Sequence, residues 1–431
     1  MQALLSFDRA PPFAGPLRFF LTAPLFGVLA GLLMVVAGPD IMASRWMPAT
    51  LAATHLITVG FMLQIMVGAL IQILPVVTGA NLAHPLPVAR GVHGGLSAGA
   101  LLLAWAFLSG TAAGFAAAAV VLGATVAVFL GAAGHALWGV PSTSPTIRGL
   151  KLALVGLLVV LALGLVMALG LGNGWPLDLA SLADLHAGWG LGAWAGILLV
   201  AMAYVVVPMF QLTPAYPAQG SWWLPPAVVA LLLVWSGALV FGSGSAVRLV
   251  QAGLAVAGMG FAAFTLHLQH QRRRARFDAT FRYWQGGLWC AVLALAMLLT
   301  AAVRPEATEW RGWSSLFGIV FGVGGFMSLI AGMLYKIVPF LIWLHLQNAG
   351  QGRAAAPNVN KVLADGPMQR QMRAHFAATA LMAGAVFWPE ALVWPAGMAF
   401  ALANGWLAIN LLSAVRLYRR HMVELGPVTG C

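Results

Sequence analysis

Three stretches decide how this chain folds: GALIQILPVVTG (Gly68–Gly79), AMAYVVVPMFQL (Ala201–Leu212) and GMLYKIVPFLIW (Gly332–Trp343). Aligned on Pro75, Pro208 and Pro339, each has a small residue seven positions before the proline and an apolar pair directly before it. The prolines are 133 and 131 residues apart. A repeat of that period inside apolar segments predicts three copies of a four-helix unit, at about 1–140, 141–277 and 278–431, forming one domain over 1–431.

The surrounding sequence reads as a polytopic membrane protein. It is 61% hydrophobic and 7% charged, with a mean hydropathy of +0.91. Apolar runs long enough to cross a bilayer lie near 18–38, 50–76, 92–110, 115–138, 149–170, 184–209, 222–242, 247–270, 283–303, 313–343, 371–388 and 394–416. These predict an all-α fold with twelve transmembrane helices, because lipid leaves unpaired backbone groups no water to bond. The eleventh run is short and meets Pro389-Glu390. The fifty glycines are scattered through the runs, where small residues let helices approach closely. The first run follows a Pro-rich leader and is itself a full span, so no cleavable signal is expected.

The net charge of +12 does not point to nucleic acid. With both termini inside, 17 of the 22 Lys and Arg residues fall on the inner side, while Arg45, Arg248, Arg304 and Arg311 fall outside and Lys336 lies within a helix. That asymmetry predicts an N-in/C-in orientation in a bacterial-type inner (cytoplasmic) membrane, with the basic residues meeting anionic lipid. Cys290 and Cys431 offer no disulfide framework. The longest connection, QNAGQGRAAAPNVNKVLADGPMQRQMR (347–373), is polar and reads as a docking surface. No nucleotide-binding glycine loop, catalytic triad or soluble domain is evident.

Eight of the ten histidines, among them His375, map to the inner face, where an interfacial structural role is the ordinary reading. His55 and His186 differ. They precede their marker prolines by 20 and 22 residues, in the outer half of the second and sixth helices. Imidazole ligates both heme iron and copper. Met62 and Met66 follow His55 by seven and eleven residues, which α-helical geometry places within roughly 20° of its direction. A His/Met stripe suits heme b or copper; the competing reading is that methionine fills core gaps and His55 bonds a carbonyl. In the inner half, Gln64, Gln72, Tyr204, Tyr335 and Lys336 form a candidate polar path. An intramembrane Lys is either functional or snorkels to water. No acidic residue is placed inside a span, which disfavours a cation- or proton-coupled transporter.

The second helix, ATHLITVGFMLQIMVGALIQILPVVTGANLAHPLPVAR (53–90), resembles helix 2 of the catalytic subunit of heme-copper oxidases and nitric-oxide reductases, whose early His ligates the low-spin heme. GVGGFMSLIAGMLYKIVPFL (322–341) is similar to the Gly-rich, proline-terminated half of the oxidase tenth helix, and PPFAGPLRFFLTAPLFGVLAGLL (11–33) resembles the start of NnrS-type proteins linked to nitric oxide stress. The resemblance implies a pseudo-threefold bundle holding heme or copper. The departures are specific. Phe317 and Ile319 stand where the oxidase His-x-His pair is expected, Gly190 stands where a tyrosine should follow His186, and the seventh helix has no His-His pair. The expectation is a heme- or copper-binding membrane protein of nitric oxide or respiratory metal physiology that does not itself reduce oxygen. Set beside it are a cofactor-free transporter or channel and an assembly partner on the same scaffold.

Overall fold

In the computed structural model, which describes residues 11–273, 277–350 and 358–424, every long element is a helix. Twelve are long: α1 (Ala14–Ala37), α2 (Pro48–Thr78), α3 (Pro85–Ser109), α4 (Ala112–Trp138), α5 (Pro145–Asn173), α6 (Leu179–Gln211), α7 (Ala218–Val240), α8 (Gly244–His270), α9 (Ala279–Val303), α10 (Trp313–Ala349), α11 (Asp365–Ala385) and α12 (Pro389–Glu424). All except α11 are long and apolar enough to cross a bilayer. The chain is therefore a multi-pass membrane protein in contact with lipid.

Local chemistry sets the helix ends. The side chains of Thr111, Ser144, Asp178 and Asp278 accept from backbone N–H groups in the first turns of α4, α5, α6 and α9. The Asp178 carboxyl, on the surface just before α6, is held below its usual pKa by its bonds to Ser181. Prolines at the starts of α2, α3 and α5 need no donor there.

Packing closes the helices into a ring. Contacts run α4–α5, α8–α9 and α12–α1, and α2, α6 and α10 lie against α1, α5 and α9 respectively. The α1–α12 seam depends on glycine: a Cβ on Gly31 would lie 2.6 Å from the Ala401 N and the Gly397 O, both rigid backbone atoms. Gly31→Ala is expected to lower stability by about 1–3 kcal/mol, as overpacking does, checked by unfolding in detergent. An unchanged unfolding midpoint would count against this seam.

Three helices interrupt their α-geometry. α2, α6 and α10 contain π-helical stretches at Leu56–Leu63, Trp189–Gly196 and Ile319–Met327. They start 19, 19 and 20 residues before Pro75, Pro208 and Pro339. The stretches of α2 and α10 touch each other inside the bundle. A π turn bonds i to i+5, so it rotates everything beyond it away from α-helical register.

The structure revises two expectations here. The 347–373 connection is shorter than predicted: α10 runs to Ala349, a short helix spans Val359–Val362, and α11 begins at Asp365. Residues 351–357 of that loop lie outside the described residues. Asp184, the first residue of the sixth predicted run, lies within α6, which its cap Asp178 starts six residues earlier, so the expectation that no acidic residue lies inside a span does not hold.

Candidate functional site

His55 is the last residue of the first α-helical segment of α2, immediately before the π stretch; His186 stands three residues before the π stretch of α6. The bundle brings these two side chains together. Their ring centroids are 6.4 Å apart with the planes inclined by 29°. The His55 Nδ1 bonds the Leu51 carbonyl at 2.8 Å, and the His186 Nδ1 bonds the Val160 carbonyl of α5 at 3.1 Å. A carbonyl only accepts, so each Nδ1 carries the proton and a neutral ring keeps its lone pair on Nε2. Neither Nε2 has a hydrogen-bond partner among the described residues, and both rings line one cavity.

Neighbours hold the rings in place. Phe107 of α3 lies 5.0 Å from the His55 ring. On α5, Gly164 clears room for His186: a Cβ there would be 3.1 Å from the imidazole Cε1. Anchoring Nδ1 to a carbonyl while Nε2 stays free is the arrangement that orients histidine ligands in metal sites.

The cavity has a volume of about 1380 Å³ and is walled mainly by Leu, Val, Ala, Gly and Phe residues, from Ala30 of α1 to Met382 of α11. Met62 and Met66 line it too. The counts from His55 to Met62 and Met66 cross the π stretch, where 100° per residue no longer applies. Phe317 and Ile319 also face the cavity and supply no ligand from α10. Among the described residues no group of three or more His, Cys, Asp or Glu side chains gathers.

The five residues of the expected polar path have separate neighbours. Gln64 donates to Ser97 of α3 at 2.8 Å. Gln72 is buried within α2. Tyr204 packs on Tyr216, with ring centroids 5.1 Å apart. Tyr335 donates to Gln371 of α11 at 2.9 Å and accepts from Asn410 of α12 at 2.9 Å. Lys336 pairs with Asp278, at the start of α9, at 2.8 Å. The pair is mostly buried, so the lysine charge is met by a carboxylate and not by water alone.

Other functional candidates escaped the sequence reading. His375, expected at the interface, is 2% exposed, bonds Ser328 of α10 at 2.9 Å and lies against the Tyr283 ring. Its helix starts earlier than hydropathy showed, which carries this residue into the bundle. Arg45 pairs with Asp184 at 2.6 Å at the cavity mouth, with Trp46 beside the guanidinium. The Asp-Leu-His order at 184–186 was the one available signal for that ion pair.

No family model matches the chain, and no curated protein matches it in sequence.

Proposed function

We propose that this chain is a heme-binding membrane protein in which His55 and His186 would hold the heme iron, serving nitric oxide or respiratory metal and heme physiology without being an oxygen reductase. The observation that carries the reading is the imidazole pair: two rings from helices distant in sequence, each anchored at Nδ1 and each with Nε2 free, within one apolar cavity. The cavity volume far exceeds the need of a bare ion and suits a tetrapyrrole. Heme supplies one-electron redox chemistry at iron when bound. The chain's own part is to fix both rings, exclude water with its apolar wall and keep the imidazoles neutral and ready to ligate. If both imidazoles held the iron, the site would favour electron carriage or heme retention over binding of a small molecule at the metal.

Copper is the second reading, favoured by the thioethers of Met62 and Met66 in the same cavity, since soft sulfur with imidazole suits Cu(I). The scaffold belongs to the same proposal: twelve spans in three four-helix units, N-in/C-in in a bacterial-type inner membrane. The matched offsets of the three π stretches from their prolines support the units, as do the cyclic contacts α4–α5, α8–α9 and α12–α1. The inward excess of Lys and Arg supports the orientation. The resemblance to heme-copper oxidases and NnrS-type proteins supports the physiological role, and docking to respiratory subunits through the 347–373 loop goes with it.

The test is an absorption spectrum of detergent-purified protein with metal analysis. A Soret band with iron at about one equivalent supports heme, and copper without a Soret band supports the second reading. Protein grown with ample iron and copper that carries neither would overturn both.

A further inference from the structure

The cavity is apolar through its depth, and its charged lining residues are three: Arg45, Asp184 and Arg248. All three stand at one end of the bundle. Arg45 precedes α2, Asp184 lies in the first turns of α6, and Arg248 lies in the first turns of α8. An apolar chamber under a rim of two cations and one anion fits an apolar molecule that carries carboxylate. Arg45 already holds a carboxylate, that of Asp184, through Nη1. Both partners are more than a third exposed, at 38% and 44%, so water competes strongly with this ion pair. A ligand anchored elsewhere in the cavity would present its carboxylate at high effective concentration and displace Asp184. Asp184 is two residues before His186 on one α-helical segment, about 3 Å along the axis. Arg45, Asp184 and both imidazoles line the same cavity, so the ion pair and the imidazole pair share one chamber.

We infer that Arg45 is the carboxylate-binding group of this cavity, exchanging Asp184 for a carboxylate of the bound ligand, which on the heme reading is a propionate. The inference rests on that reading for the identity of the ligand, while a long-chain fatty acid offers the same chemistry. Arg248 adds a second cation to the rim and makes its net charge positive. Trp46, whose ring lies 4.7 Å from the Arg45 guanidinium carbon, keeps that side chain over the mouth.

The experiment titrates the purified, pigment-free full chain with hemin and with hemin dimethyl ester, whose carboxylates are masked, following the Soret band. Oleate is added as a competitor. The wild type is expected to bind hemin about tenfold or more tightly than the ester, as charge-assisted bonding to Arg implies. Arg45→Gln should erase that difference and leave ester binding unchanged. Asp184→Asn should increase the preference for hemin several-fold by releasing Arg45; the opposing signs separate ligand binding from damage to the fold.

Equal affinities for hemin and ester in the wild type, with binding still dependent on His55, would overturn the role of Arg45 and leave the heme reading intact. Hemin binding weakened by Asp184→Asn would also overturn it. Arg45-dependent binding of oleate without hemin binding would keep the rim and remove the heme. Binding of neither would remove both.

Discussion

Replacing His55 with Ala is expected to abolish the low-spin heme spectrum, cutting bound heme at least tenfold. The basis is that loss of even an outer-shell partner of a ligand costs about 10–100-fold in affinity, and here an axial ligand itself is removed. The fold should tolerate the change, because the His55 ring faces the cavity and its one hydrogen bond is to a carbonyl one turn back on its own helix. Gly164→Val serves as a control for position. It touches no cofactor directly, but a side chain at 164 pushes against the His186 ring, so it should reduce heme occupancy and shift the Soret maximum while the protein stays folded. A Soret band identical to that of the wild type in His55→Ala would remove His55 from the site.

The largest stability effect should come from the far side of the bundle. Gln371, 1% exposed, accepts from Tyr283 at 2.7 Å and Tyr335 at 2.9 Å and donates to the Ala403 carbonyl at 3.0 Å. The network thereby ties α9, α10, α11 and α12 together. Gln371→Leu leaves two buried hydroxyls without their acceptor. Charging about 1–3 kcal/mol per stranded group, and allowing for the smaller values found in membrane bundles, the expected loss is about 3 kcal/mol. Gln371→Glu keeps an acceptor for both hydroxyls and should recover part of it. Tyr283→Phe in the Gln371→Leu background should recover part too, because removing both partners of a buried bond costs less than removing one. Unfolding of the wild type, the two Gln371 variants, Tyr283→Phe and the double variant in one detergent gives the comparison. Additive losses would mean that the groups do not act as a network.

The spans were legible because bilayer physics writes them in composition: each needs an unbroken apolar run, and in α11 that run is interrupted by Arg370 and Arg373 in its first half. The approach of His55 to His186 was readable in outline, since both precede a marker proline by similar distances. What hydropathy hides is register. A π turn changes nothing in composition, so α-helical counting placed Met62 and Met66 on a line that the backbone does not follow. Long-range polar pairing was hidden for a related reason. Lys336 and Asp278 meet across two helices, as do Arg45 and Asp184, and no local spacing encodes either pair. The residues of the expected polar path take separate partners, because depth along a helix does not fix azimuth. Equal depth does not make Tyr204 and Tyr335 neighbours: Tyr204 packs on Tyr216 in the connection before α7, while Tyr335 bonds Gln371 of α11.

The tight glycine seam between α1 and α12 has a consequence for biosynthesis. The ring stays open until the final helix has left the ribosome, so every nascent chain passes through a stage in which the Gly31 face of α1 meets lipid in place of protein. Assembly is then obligatorily late at that edge, and long-range closure of this kind is slow. A chain truncated before α12 should insert yet be digested by membrane proteases far faster than the full chain, which pulse-chase labelling would reveal.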